Sequence, residues 1–201
     1  MRGRDGRGEG RTREGEREAG RLRRLSLGRI VVLSGVPRAG KSSIVRALQA
    51  RGPWINLGVD IWRKATPEDL QPGIGLRPGG ERPDLEPSVA RFYAALWDAV
   101  AAVSRGGVDV ACDVGLHTDY ARPLDTRALM RQRLAGLPVL LVGVRCPLET
   151  ILERRSEDGA PREAVLRWQA AVHNNMAYDL EVDTSTLAPE ACAELILARL
   201  S

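Results

Sequence analysis

The chain has 201 residues, 43% apolar, 28% charged and 4% aromatic, which is the size and balance of one globular domain with its own core. No apolar run approaches the ~20 residues of a membrane-spanning helix, and the N-terminus lacks the apolar segment of a secretory signal. The net charge of +4 is carried by residues 1–28, where nine Arg face five acids; residues 29–201 balance and offer no net basic charge to a nucleic acid.

Residues 1–28 are rich in Arg, Gly and Glu, with almost no apolar residue before Leu22. Such a stretch buries too little surface to offset the entropy of ordering, so it is expected to be a disordered, solvated extension. Its interleaved acids set it apart from a basic RNA-binding arm and from a transit peptide. The folded domain is expected to span 29–201.

The run Ile30–Ser34 reads as a buried strand. It feeds Gly35-Val36-Pro37-Arg38-Ala39-Gly40-Lys41-Ser42, the G-x-x-x-x-G-K-S pattern of a phosphate-binding loop. Glycines let such a backbone curl tightly, so that successive N–H groups meet an anion. The helix opening near Lys41 adds its positive end, and Ile44–Leu48 continue it with apolar positions on one face. The expected nucleotide cradle is Gly35, Val36, Pro37, Arg38, Ala39, Gly40, Lys41, Ser42 and Ser43. Lys41 reaches the outer phosphates and the Ser42 hydroxyl ligates Mg²⁺.

Trp54–Val59 reads as a second strand, with Asp60 just beyond it. Thr66–Pro87 holds five Pro and four Gly, so it is expected to lack regular structure and to cover a substrate beside the phosphates. Ser88–Ser104 has helical spacing through Val89, Phe92, Tyr93, Leu96, Val100 and Val103, and its aromatics are assigned to the core. Val108–Asp113 reads as a strand closing on Asp113, Leu124–Ala135 as a helix and Val139–Val144 as a strand. Arg154, Arg155 and Arg162 flank the polar stretch Ser156–Pro161, expected to be a short lid whose arginines meet phosphate charge. Helix Ala164–Met176, strand Leu180–Asp183 and helix Pro189–Leu200 complete the chain. This alternation predicts an α/β domain with a parallel sheet.

Ligands in such sheets sit at the carboxyl ends of the strands, where Asp60 and Asp113 fall. Phosphoryl transfer to a hydroxyl needs a group to orient and deprotonate the acceptor, assigned to Asp60. It also needs Mg²⁺ across the phosphates, which Asp113 holds directly or through water. The ordinary alternative for either acid is a helix cap. His117 lies within reach of a substrate in the loop after Asp113, and His173 reads as a packing residue. Cys112, Cys146 and Cys192 are odd in number and widely spaced, which fits buried free thiols in a reducing cytoplasm. A Cys112–His117–Cys146 zinc site lacks the usual ligand spacing.

Taken together, Ile30–Ser43, Gly58-Val59-Asp60, Asp113-Val114, Gly143-Val144-Arg145-Cys146, the arginine-bearing lid through His173, and Tyr178-Asp179-Leu180-Glu181-Val182-Asp183-Thr184 give the chain a resemblance. It resembles the chloramphenicol phosphotransferase-like family of P-loop kinases over roughly residues 29–200. The resemblance implies a P-loop NTPase fold of the kinase type, a three-layer sandwich on a five-stranded parallel sheet with a short Arg-containing lid. It also implies ATP- and Mg²⁺-dependent phosphorylation of a small-molecule hydroxyl, with Asp60 as base and Gly35, Gly40, Lys41 and Ser42 on the nucleotide. Among the lid arginines, Arg154 matches well and Arg162 requires a small length change. Where the antibiotic-modifying enzyme has an Asp-Asp pair, this chain has Cys112-Asp113, and the Pro/Gly-rich loop and Leu116–Pro123 also differ. The resemblance therefore carries the reaction type and leaves the acceptor open. Two other readings stand beside it: a nucleotide or nucleic-acid kinase whose tail recruits a polyanion, and a nucleotide-binding switch that only toggles its lid.

Overall fold

Five short runs pair in parallel to form one sheet: β1 (Ile30–Ser34), β2 (Ile55–Asn56), β3 (Val110–Val114), β4 (Val139–Arg145) and β5 (Leu180–Asp183), in the order β2-β3-β1-β4-β5. The computed structural model describes residues 26–154 and 161–201. The expectations for the tail before residue 26, for Arg155 and for lid residues 156–160 lie outside the described residues.

The central strands are apolar on both faces because helices cover both. Side chains alternate along β1, so Val31 and Leu33 face one layer while Ile30 and Val32 face the other. On the first face lie α1 (Lys41–Gln49) and α7 (Pro189–Arg199), packing Ile44, Leu48, Cys192 and Ile196. On the second lie α3 (Glu86–Arg105) and α4 (Thr126–Arg133), packing Val89, Leu96, Trp97, Val100 and Met130. Helix, sheet and helix make the expected three-layer sandwich. Three further helices, α2 (Val59–Ala65), α5 (Leu148–Arg154) and α6 (Arg162–His173), border the carboxyl end of the sheet.

The second strand is shorter than expected. Only Ile55 and Asn56 pair with β3, and Val59 already opens α2. The Leu57 N–H still donates to the Ala111 carbonyl at 3.1 Å, but Gly58 then lies against the Asp113 carboxylate and caps α2. The Pro/Gly-rich stretch Thr66–Pro87 also holds more order than expected, with 3₁₀ turns at Glu68–Leu70 and Gly73–Leu76 and the start of α3 at Glu86. Gly28, assigned to the tail by composition, is buried and donates its N–H to the Ser104 carbonyl at 2.7 Å.

Strand β1 has β3 on one side and β4 on the other. The chain leaves β1 toward one edge of the sheet and leaves β3 toward the other, which opens a crevice at their carboxyl ends. Among the described residues no helix is long and apolar enough to cross a membrane. All three cysteines are free and buried, and no three His, Cys, Asp or Glu gather as a metal site among the described residues.

Candidate active site

The loop between β1 and α1 curls because Arg38 and Gly40 adopt left-handed backbone, with φ of 67° and 92°. Alternation of right- and left-handed residues turns successive amides toward one point and makes an anion nest. Gly40 caps α1 with no side-chain hydrogen bond, so the Lys41 and Ser42 amides stay available to a ligand, while the Ser43 N–H donates to the Gly40 carbonyl at 3.1 Å. Val36 and Ala39 are buried in the core and contribute backbone alone, whereas Gly35, Pro37, Arg38, Gly40, Lys41, Ser42 and Ser43 line a cavity of about 1190 Å³. The Lys41 ammonium donates to the Gly35 carbonyl at 2.8 Å and the Val36 carbonyl at 2.7 Å. Enclosure by the loop lowers its pKa to about 8, with Asp113 and Asp60 opposing the shift. Phosphate charge beside it would favour the ammonium further.

Asp113 lies on β3 directly across from Leu33 of β1, on the strand face that Ala111 also presents to α1. This places its carboxylate against the head of α1, where Ser42 Oγ donates to Asp113 Oδ2 at 2.5 Å. A Cβ on Gly58 would collide with the other carboxylate oxygen, so residue 58 has no room for a side chain. Two oxygen donors, one of them anionic, sit side by side at the end of the nest.

Asp60 is in the first turn of α2, its side chain 75% exposed and its Oδ1 3.8 Å from Arg63 Nε. It lines the same cavity as Lys41, Ser42 and Asp113. Arg154 ends α5 and also lines the cavity. Its guanidinium donates to the Thr184 hydroxyl at 3.1 Å, the Thr184 carbonyl at 2.8 Å and the Arg38 carbonyl at 3.4 Å. Thr184 Oγ1 in turn donates to the Ala39 carbonyl at 2.8 Å, bracing the nest from the end of β5. Arg162 is placed elsewhere: it grips Glu149 with two hydrogen bonds of 3.1 and 2.7 Å, joining α6 to α5, and does not line the cavity.

The far wall comes from the segment after α2. Gln71, Gly73, Ile74, Leu76 and Arg77 line the cavity together with Tyr93 of α3 and Trp168 of α6. The stretch expected to cover a substrate thus faces the nest across the cavity. Tyr93, assigned to the core, is buried and also meets the cavity, so its helical spacing gave only half of its position. His117 is fully buried and does not touch the cavity; its Nε2 bonds the Leu76 carbonyl at 3.1 Å and holds the wall from behind. His173 packs as expected, its Nδ1 2.9 Å from the Tyr178 hydroxyl. Arg77, Trp168 and Thr184 were not named individually, although each fell within a stretch already singled out: the Pro/Gly-rich segment, the lid through His173, and Tyr178–Thr184.

The profile of the chloramphenicol phosphotransferase-like proteins matches residues 28–201. The chain belongs to this family. Its fold recurs in solved kinase structures. A sugar kinase from Janibacter sp. HTCC2649 is 21% identical, with 86% of this chain and 94% of that chain covered at a TM-score of 0.59. The APS kinase of Mycobacterium tuberculosis, solved in complex with AMPPNP and APS, is 18% identical, with coverage of 87% and 98% and a TM-score of 0.59. The tunicamycin resistance protein of Deinococcus radiodurans is 22% identical, with coverage of 87% and 96% and a TM-score of 0.60. No curated protein sequence matches the chain. As a family member the protein shares the five-stranded parallel core of P-loop small-molecule kinases.

Proposed function

We propose that this protein transfers the γ-phosphoryl group of ATP to a hydroxyl of a small molecule. The observation that carries the reading is that Asp60 opens onto the same cavity as Lys41, Ser42 and Asp113. A nucleotide-binding switch needs the nest and the cation site but has no use for a half-exposed cavity large enough for a second molecule and furnished with a carboxylate.

The residues fit the nucleotide and its metal. The nest and the uncapped end of α1 suit the β- and γ-phosphates, with Lys41 as their counter-charge. Ser42 and Asp113 are oxygen donors, as a hard divalent cation requires, and they would hold Mg²⁺. A cation bound there supplies neutralisation of phosphate charge as the γ-phosphoryl moves. Leu187 and Pro189, at the cavity edge, offer an apolar wall for the base.

Asp60 accepts the proton of the acceptor hydroxyl and aligns its oxygen with the γ-phosphorus. The new O–P bond forms as the bond to the bridging oxygen breaks, and ADP leaves. Lys41 and Arg154 hold the charge that collects on the phosphate oxygens. The test is acceptor-stimulated ADP release by the full chain with Mg·ATP across hydroxylated antibiotics, nucleosides and sugars, with ³¹P NMR of the product. A phosphorylated acceptor supports the reading. Tight ATP binding with no stimulation by any acceptor contradicts it.

A further inference from the structure

We infer that the acceptor carries an anionic group, a carboxylate or a phosphate, received by Arg77; this rests on the phosphotransferase reading above. The cations on the nucleotide side of the cavity are engaged. Lys41 holds loop carbonyls, Arg46 donates to the Ser43 hydroxyl at 2.9 Å, and Arg154 holds Thr184. On the acceptor side, Arg63 stands 3.8 Å from Asp60. Arg77 lines the same wall and is exposed, and its guanidinium has no hydrogen-bond or ion-pair partner among the described residues.

The mount of Arg77 separates it from an ordinary surface arginine. The Leu76 carbonyl before it is held by His117, which is fully buried and stacked on Tyr120 at 4.3 Å between ring centroids. The Arg77 N–H donates to the Ile74 carbonyl at 3.0 Å, closing the 3₁₀ turn. Beyond it Pro78 is buried, and the Gly79 N–H donates to the Asp119 carbonyl at 2.9 Å. The backbone is therefore fastened on both sides of a cation that has no side-chain partner among the described residues.

Fixing the backbone removes part of the ordering entropy that a flexible arginine loses when it grips an anion. The guanidinium fork matches carboxylate and phosphate oxygens. The wall also carries Ile74, Leu76 and Tyr93, suited to a carbon skeleton between the two polar ends. Asp60 shares the cavity lining with two arginines, Arg63 and Arg77. Its complement is a molecule with a hydroxyl at one end and a negative charge at the other.

The test compares matched acceptors on the full chain with Mg·ATP: hydroxy acids against their carboxamides, sugar phosphates against the free sugars, and chloramphenicol as a neutral acceptor. We expect kcat/KM for the charged member of one series to exceed that of its neutral partner by roughly tenfold or more, the worth of one charge-assisted hydrogen bond. Arg77→Ala should bring that ratio close to one, and Arg77→Lys should keep part of it. The series showing the larger ratio tells carboxylate from phosphate. Equal or better use of neutral acceptors, or a ratio that Arg77→Ala leaves unchanged, overturns the inference while the phosphotransferase reading stands. Absence of stimulation by every acceptor overturns both.

Discussion

The Ser42 hydroxyl donates to Asp113 Oδ2 at 2.5 Å, joining the head of α1 to the end of β3. These residues are 71 positions apart, yet the parallel register of β1 and β3 makes their meeting a consequence of the sheet. Asp113 is 8% exposed and leans on Gly58, so three chain segments converge on one carboxylate. The Mg²⁺ site proposed for Ser42 and Asp113 is thus held together by the fold itself.

Gly58→Ala should therefore damage both stability and metal use. Its backbone φ of −67° is open to any residue, so the cost is steric: the new methyl group would occupy the Asp113 carboxylate. Overpacking of this kind costs about 1–3 kcal/mol. Urea unfolding should show that loss, and the Mg²⁺ concentration for half-maximal turnover should rise. Unchanged values for both would mean that Asp113 can move aside freely.

Lys41→Ala should weaken the nucleotide itself. Charge-assisted hydrogen bonds are worth about 1.5–3 kcal/mol, so the Kd for ATP should rise by roughly tenfold or more for each one lost. Isothermal titration with Mg·ATP reads this directly. An unaltered titration would remove Lys41 from the phosphate site.

Stability should fall in mild acid through the two histidines. Burial, helped by Arg145, pushes His173 from 6.5 down to about 4, and burial also lowers His117. The unfolded chain takes up these protons near pH 6.5, whereas native His173 resists until about pH 4. In that window the unfolded state binds more protons, so the free energy of unfolding declines as pH drops from 6.5. Above it the histidines contribute no slope. Urea midpoints measured on both sides of pH 6.5 should show the decline, and His173→Gln should make it shallower. Equal slopes for the two proteins would contradict the assignment to His173.

The sheet was legible because its signals are local. Apolar runs separated by helical spacing gave all five strands, and Leu180–Asp183 matches in both limits. The phosphate-binding loop was legible for the same reason: its glycines, Lys41 and Ser42 are neighbours in sequence. Asp113 followed from its place at a strand end; Asp60 was picked for the same reason, though β2 stops at Asn56 and Asp60 lies in the first turn of α2. Short, weakly patterned helices did not show: α2 buries none of its residues, and α5 buries Ile151 alone. Buried charge was also hidden, since it depends on distant partners. Glu86 accepts from the backbone N–H groups of Ala121 and Arg122 at 2.6 and 2.8 Å. Arg127 donates to the Asn174 and Ala171 carbonyls at the end of α6, both at 2.7 Å. The far wall is the extreme case, because His117 and Leu76 lie 41 residues apart and nothing local to either announces the other.

If Asp60 acts on an acceptor hydroxyl as proposed, Asp60→Asn should separate phosphoryl transfer from nucleotide binding. The side chain is exposed on a helix with no buried residue, so the substitution leaves the fold intact. Acceptor-stimulated kcat and the Kd for Mg·ATP should be measured together on the full chain. We predict that the Kd holds while kcat falls by about 10²–10⁴, the range of general-base catalysis. A kcat within about tenfold of the parent would contradict the account.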